Sequence, residues 1–197
     1  MPGAEHEHDH LELGSVVSAA VRLQELVPDA VLVGDTAAAL YAGHRVSLDD
    51  DHVVADLRDR FEMVLEALEA DDGWVTNRVT PGTVILGNLD GVDTGIRQLI
   101  RRRPLEVVDV SVGPQRRPLR IPTHDEMLRI KAFLALRRNA TRDYLDLAAL
   151  SERAGVEAAA SALAQIDDYY ADQIGPDGER IAAQVARQLA EPRPHDL

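Results

Sequence analysis

The chain has 197 residues, 45% of them hydrophobic, no cysteine and a formal net charge of −13. That length suits one domain, or one domain with an extension, and buries enough surface to fold without disulfides or a structural metal. The missing cysteines exclude thiol nucleophiles, disulfides and cysteine-based zinc sites. No apolar run approaches the roughly 18 residues of a membrane span, and the N-terminus is acidic and His-rich, unlike a signal peptide, so a cytoplasmic protein with no membrane partner is expected.

Residues 1–11 read as a mobile tail; His6, His8 and His10 alternate along it, but flexible polar tails are far commoner than chelating ones. Val16, Val17, Ala20, Leu23 and Leu26 stand at amphipathic spacing within Gly14–Val27, which stops before Pro28 and predicts a helix. Ala30–Val33 is a short apolar run expected as a buried strand. A short helix over Thr36–Ala42, a strand over His52–Ala55 and a helix over Leu57–Ala70 follow, the last with Phe61, Val64, Leu65 and Leu68 on one face. From Trp74 the texture is β, with strands over Trp74–Val79, Thr83–Leu86 and Leu105–Val112 separated by Pro81-Gly82, Gly87-Asn88 and Asp90-Gly91. Beyond Pro122 the chain is helical: Thr123 and Glu126 form a capping box for a helix to about Arg138, Thr141 opens another to about Ala154, and two more follow around Gly175-Pro176-Asp177-Gly178. The expected fold class is α+β, a small mixed sheet with flanking helices over 12–122 followed by a helical bundle over 123–197.

The chemistry concentrates between Val31 and Val54. A buried strand runs into Gly34 and a short helix starts at Thr36, whose free backbone N–H groups can hold phosphate. Thirteen residues after Thr36 comes Asp49, then Asp51. Side chains at i and i+2 of a strand face the same way, so these two carboxylates are neighbours. Such a pair is costly unless a cation lies between, and hard oxygen ligands suit Mg²⁺ or Mn²⁺ carried with a nucleoside triphosphate. A bare Asp-x-Asp is more often an acidic turn in water, so the surrounding pattern has to decide.

That pattern, Gly34-Asp35-Thr36-Ala37 followed by Gly43-His44-Arg45-Val46-Ser47-Leu48-Asp49-Asp50-Asp51, resembles the nucleotidyltransferase superfamily. It is similar above all to the branch of AbiEii and MenT toxins. Downstream, Lys131 and Arg142-Asp143-Tyr144-Leu145-Asp146-Leu147 match that branch's lysine and Arg-Asp-x-x-Asp-Leu blocks, so the resemblance spans about residues 30–152. It implies a nucleotidyltransferase-type mixed sheet, Asp49 and Asp51 on the metal, Lys131 and Asp146 in catalysis, and Gly34, Asp35, Thr36, Arg45, Ser47 and Lys131 about the nucleotide. It further implies transfer of a nucleotide to the tRNA 3′ end by the toxin of a toxin–antitoxin pair, with a cognate antitoxin as partner.

Lys131 also stands out unaided, as the only lysine among 21 Lys and Arg. It shares a helical face with Met127 and Leu134, and a lone inward lysine in an arginine-rich chain fits a task for a compact ammonium, such as neutralising triphosphate oxygens. The alternative is a snorkelling side chain. Asp143 and Asp146 border the packed face of their helix, and ion pairing with Arg142 or Lys131 is the plainer role for Asp143. For Arg45 two readings stand, phosphate contact or pairing with Asp49 or Asp51.

Three departures from the pattern matter. Asp35 replaces a second Gly or Ser, either near phosphate or as a helix cap. Asp50 and His52 stand where the branch carries apolar or aromatic residues. The third metal-binding acid has no assigned position; Asp93, Glu106 and Asp109 are the candidates. Two rivals therefore accompany the toxin reading: an inactive nucleotidyltransferase-like binding module, and nucleotide transfer to a small molecule or protein. Charge divides them. Between Arg97 and Arg142 stand twelve basic residues against four acids, a stretch that can take a polyanion or pair with the acidic body of the same chain.

Overall fold

The structure, a computed structural model, describes residues 3–45 and 47–196, with side chains from Leu13 onward. The chain forms two compact units, one of Met1–Ala39, Arg45–Ile100 and Val107–Ile121, the other of Leu40–His44, Arg101–Glu106 and Pro122–Leu197.

The first unit is built on a five-stranded sheet. Its elements are α1 (Gly3–Leu26), β1 (Val31–Leu32), the start of α2 (Gly34–Ala42), β2 (Asp50–Val54), α3 (Phe61–Glu69), β3 (Trp74–Thr80), β4 (Val84–Leu89) and β5 (Val92–Gln98). The strand order is β1-β2-β5-β4-β3, with β2 and β5 parallel and the other neighbours antiparallel. A two-stranded ribbon of β6 (Val107–Val112) and β7 (Arg117–Pro122) completes the strands. Leu23 and Val27 at the end of α1, Phe61, Val64 and Leu68 of α3, and Val54, Ile85 and Ile96 of the sheet share one core, as the apolar spacing of both helices requires.

Several expectations shift. Residues 3–11, read as a tail, continue α1, because no proline interrupts the chain between Gly3 and Val27 and Gly14 alone costs only about 1 kcal/mol in a helix. The metal reading of His6, His8 and His10 falls on side chains outside the described residues. Strands β5 and β7 are absent from the sequence reading, and Gly87-Asn88, read as a turn, lies inside β4. The reason is Trp74. Its ring lies over Gly87, where a Cβ would stand 2.3 Å from Cζ2, so this glycine serves a close approach within a strand rather than a bend. The true turn is Asp90-Gly91, both at positive φ (53° and 90°), in a two-residue loop closed by the Leu89–Val92 pair. Asp-Gly is the sequence such a hairpin favours. Gly87→Ala is expected to cost about 1–3 kcal/mol through overpacking, several degrees in a thermal melt; an unchanged melt would contradict this account of β4.

The second unit holds α4 (His124–Arg138), α5 (Thr141–Ala154), α6 (Val156–Ala164), α7 (Ile166–Tyr169) and α8 (Ile181–Ala190). Of the expected capping box only the N-cap half forms: the Thr123 hydroxyl accepts from the Glu126 N–H at 3.3 Å, while the Thr123 N–H donates to the Glu106 carbonyl and the Glu126 carboxylate goes to Arg101 and Arg129. Met127, Leu128, Ala132, Leu147, Leu150, Ile166 and Ile181 are buried, and Phe133 stacks on Tyr170 at 4.0 Å. Among them lies an ionic cluster in which Glu126 takes Arg101 on one oxygen and Arg129 on the other, at 3.0 Å, while Arg129 also reaches Glu106 at 2.5 Å. Burial pushes the Glu126 carboxyl up in spite of both guanidinium groups. The Arg103 and Arg129 guanidinium groups each lie 3.7 Å from the centre of the Tyr169 ring.

Candidate functional site

Strand β2 sorts its acids by parity. Asp50, His52 and Val54 are buried, while Asp51 and Val53 face the other side and Asp49, just before the strand, is exposed. The i, i+2 relation expected for Asp49 and Asp51 thus puts both carboxylates on the side away from the core. Two hydrogen bonds fix their backbone: Thr36, fully buried in the first turn of α2, donates its hydroxyl to the Asp49 carbonyl at 2.6 Å, and the Val33 N–H donates to the Asp51 carbonyl at 2.8 Å.

Glycines line Asp51. Gly34 sits at φ +70°, a conformation that disfavours side chains, and a Cβ there would meet Asp51 Cβ at 3.4 Å. Gly95, paired with Asp51 across the parallel β2–β5 ladder, would set a Cβ 3.0 Å from Asp51 Oδ1. Arg97, opposite Val53, brings Nε to 3.5 Å from the same oxygen. Asp49 and Asp51 offer oxygen as their only ligand type, which fits a hard divalent cation.

The remaining sequence-selected residues fall as follows. Asp35 lies within the first turn of α2, which starts at Gly34 rather than Thr36, and so is not its cap; it pairs with Arg45 at 2.8 Å. Ser47 is buried and precedes β2, and Val46 lies outside the described residues. Of the three candidate acids, Glu106 is engaged by Arg129 and the Tyr169 hydroxyl, which holds its carboxyl below the ordinary range, and Asp109 is engaged by Arg120 at 3.1 Å. Asp93 accepts from Asn88 Nδ2 at 3.1 Å. It directly precedes Thr94, the partner of Asp50, and alternation along β5 gives it the face of Gly95 and Arg97.

In the second unit, Lys131 is inward as its helical position predicts, with no exposed surface. Its ammonium lies 2.5 Å from Asp146 Oδ2 and 3.5 Å from Asp143 Oδ1, and both carboxylates are buried. The other Asp146 oxygen stands 2.7 Å from His44 Nε2. The ion pairing weighed for Asp143 is therefore present, with Lys131 as its cation. Snorkelling does not describe Lys131, because the charged end itself is enclosed.

Sequence reasoning missed Gly95 and Arg97, and missed that Asp50 and His52 turn inward together. The signal for the first pair was available: Asp90-Gly91 taken as a hairpin turn makes Val92–Gln98 a strand. Among the basic residues between Arg97 and Arg142, Arg97, Arg101, Arg117, Arg120, Arg129 and Lys131 form ion pairs with acids of their own unit.

No family model matches the chain. It is 31% identical over 206 residues to the heme uptake protein MmpL11 of Mycobacterium tuberculosis, covering 92% of this chain and 20% of that protein. The chain thus spans about a fifth of the curated relatives it matches, and among the described residues no helix is long and apolar enough to cross a membrane. Among solved structures it is similar to ANT(2'')-Ia in complex with adenylyl-2''-tobramycin, with a TM-score of 0.57 at 11% identity over 79% of this chain and 97% of that one. An antigenic nucleotidyltransferase-like protein from Paracoccidioides brasiliensis gives a TM-score of 0.51 at 15% identity, covering 89% and 92%. The chain has the nucleotidyltransferase fold, an α+β architecture with a mixed sheet and flanking helices.

Proposed function

We propose that the chain transfers a nucleotidyl group from a nucleoside triphosphate to an acceptor hydroxyl. The observation that carries this reading is the pair Asp49 and Asp51 on the open face of β2, with Gly34 and Gly95 bare beside Asp51, in this fold. The acceptor oxygen bonds to the α-phosphorus, the bond from that phosphorus to the leaving pyrophosphate breaks, and the hydroxyl proton departs. Asp49 and Asp51 would hold Mg²⁺ or Mn²⁺. Such an ion neutralises phosphate charge and lowers the barrier to deprotonating the nucleophile. Thr36 keeps the Asp49 backbone in place, Asp35 keeps Arg45 in place, and the first turn of α2 offers N–H groups to phosphate. The resemblance also implies roles for Lys131 and Asp146, but the Lys131 ammonium is enclosed and paired with Asp143 and Asp146, so no phosphate contact is assigned to it.

The acceptor is best taken as a small hydroxyl-bearing molecule. The net charge is −13; Arg97, Arg101, Arg117, Arg120, Arg129 and Lys131 are occupied by this chain's own acids; and ANT(2'')-Ia was solved in complex with adenylyl-2''-tobramycin. The tRNA 3′ end, with a cognate antitoxin as partner, is the second reading, supported by the Gly-His-Arg and Arg-Asp-x-x-Asp-Leu blocks and by exposed Arg102, Arg116 and Arg138. Incubation with each α-labelled triphosphate, Mg²⁺ and either total tRNA or a small-molecule extract tests both. Label is expected in the small-molecule fraction; label in tRNA would move the acceptor to RNA, and label in neither would favour a binding module.

A further inference from the structure

Behind the two aspartates, on the covered side of β2, lies a buried polar chain in place of an apolar core. Asp50 and His52 have no exposed surface. Asp50 Oδ1 and His52 Nδ1 stand 3.0 Å apart, too oblique for a straight hydrogen bond. The Thr94 hydroxyl is 3.5 Å from Asp50 Oδ2 and nearer, at 3.1 Å, to the Val92 carbonyl, so its single proton serves Asp50 weakly. On the far side His52 Nε2 meets Gln24 Nε2 of α1 at 3.3 Å. The Gln24 amide is fixed by the Arg120 backbone, donating to its carbonyl and accepting from its N–H, both at 2.8 Å. The Gln24 nitrogen is thereby the donor, His52 Nε2 the acceptor, and Nδ1 carries the hydrogen toward Asp50.

This arrangement opposes stability. A buried carboxylate with one oblique and one long partner is dearer than the valine or leucine that the strand's inward parity invites. Asp50 moreover stands in sequence between Asp49, just before the strand, and Asp51 within it, and like charges gathered this closely favour a cation. We infer that Asp50, with His52 beside it and Gln24 fixing the far edge of His52, is a positioning residue for the cation site: it lies behind β2 and adds buried negative charge to the field of Asp49 and Asp51. The inference rests on the reading that those two aspartates bind the cation.

Binding of free Mn²⁺, counted by electron paramagnetic resonance, alongside thermal melting separates the possibilities. The double variant Asp50→Val/His52→Leu restores an apolar strand interior and is expected to melt higher than wild type while binding Mn²⁺ about tenfold more weakly, the usual order for loss of supporting groups behind a metal site. A purely structural role predicts the reverse, a lower melt with affinity unchanged. Wild-type affinity in the folded double variant overturns the inference. Should that variant fail to fold, Gln24→Leu, which removes the far anchor only, decides by the same criterion. Wild-type protein that binds no Mn²⁺, or binds it equally well as Asp49→Ala, brings down the cation reading itself and this inference with it.

Discussion

Asp49→Ala and Asp51→Ala are each expected to abolish nucleotide transfer, by at least about a hundredfold, the order that follows loss of one electrostatic stabiliser in a reaction of this kind. Neither should unfold the chain. Asp49 is exposed and Asp51 faces away from the core, and removing either relieves repulsion between neighbouring carboxylates. The melt should therefore stay level or rise slightly while transfer is lost. Asp51→Ala also frees Arg97, whose guanidinium lies 3.5 Å from the carboxylate but is half exposed, so that loss is worth little. Steady-state transfer and melting temperature, measured together, check the pair; a variant that keeps wild-type transfer would remove its aspartate from the site.

Lys131→Ala is expected to have the opposite signature, a large loss of stability. The substitution leaves Asp146 and Asp143 buried beside an emptied position, with the compensating ammonium gone. Breaking a buried pair from one side costs about 3–5 kcal/mol, which for a chain of this size lowers the melt by roughly 10 °C. Lys131→Arg should also lose stability, since a longer planar guanidinium has to enter a position with no exposed surface. Replacing Lys131 by Met together with Asp143 and Asp146 by Leu should recover most of the loss, because the ammonium and both of its carboxylates then disappear as a set. Failure of the triple variant to recover would show that the cost lies in packing rather than in the buried charges. Triphosphate affinity, measured on whichever variant remains folded, separates a phosphate contact from a holding role.

The readable parts of the sequence were those where a single local rule decides. The Thr123 N-cap set the start of α4, the apolar spacing of Phe61, Val64 and Leu68 set the buried face of α3, and alternation along β2 set Asp51 on the side away from the core. The misread parts were those where a distant residue decides. Gly87 resembles a turn until the Trp74 ring is seen to lie on it, and Asp35 resembles a cap until Arg45 is seen beside it. Asp50 and His52 looked like mere exceptions to a pattern, because nothing local shows that Gln24, 28 residues away from His52, closes their chain onto the Arg120 backbone. Lys131 was legible as inward, but its two carboxylates come from the next helix.

The claim on which the rest depends is that a divalent cation binds at Asp49 and Asp51. The most direct measurement is a Mn²⁺ titration of isotope-labelled protein followed by NMR, in which amides near the bound ion broaden first. Early and selective broadening is expected at residues 34–36, 49–51 and 93–95, and it should vanish in Asp49→Ala. Broadening confined to the stretch of His6, His8 and His10, with residues 49–51 untouched at stoichiometric Mn²⁺, would contradict the account.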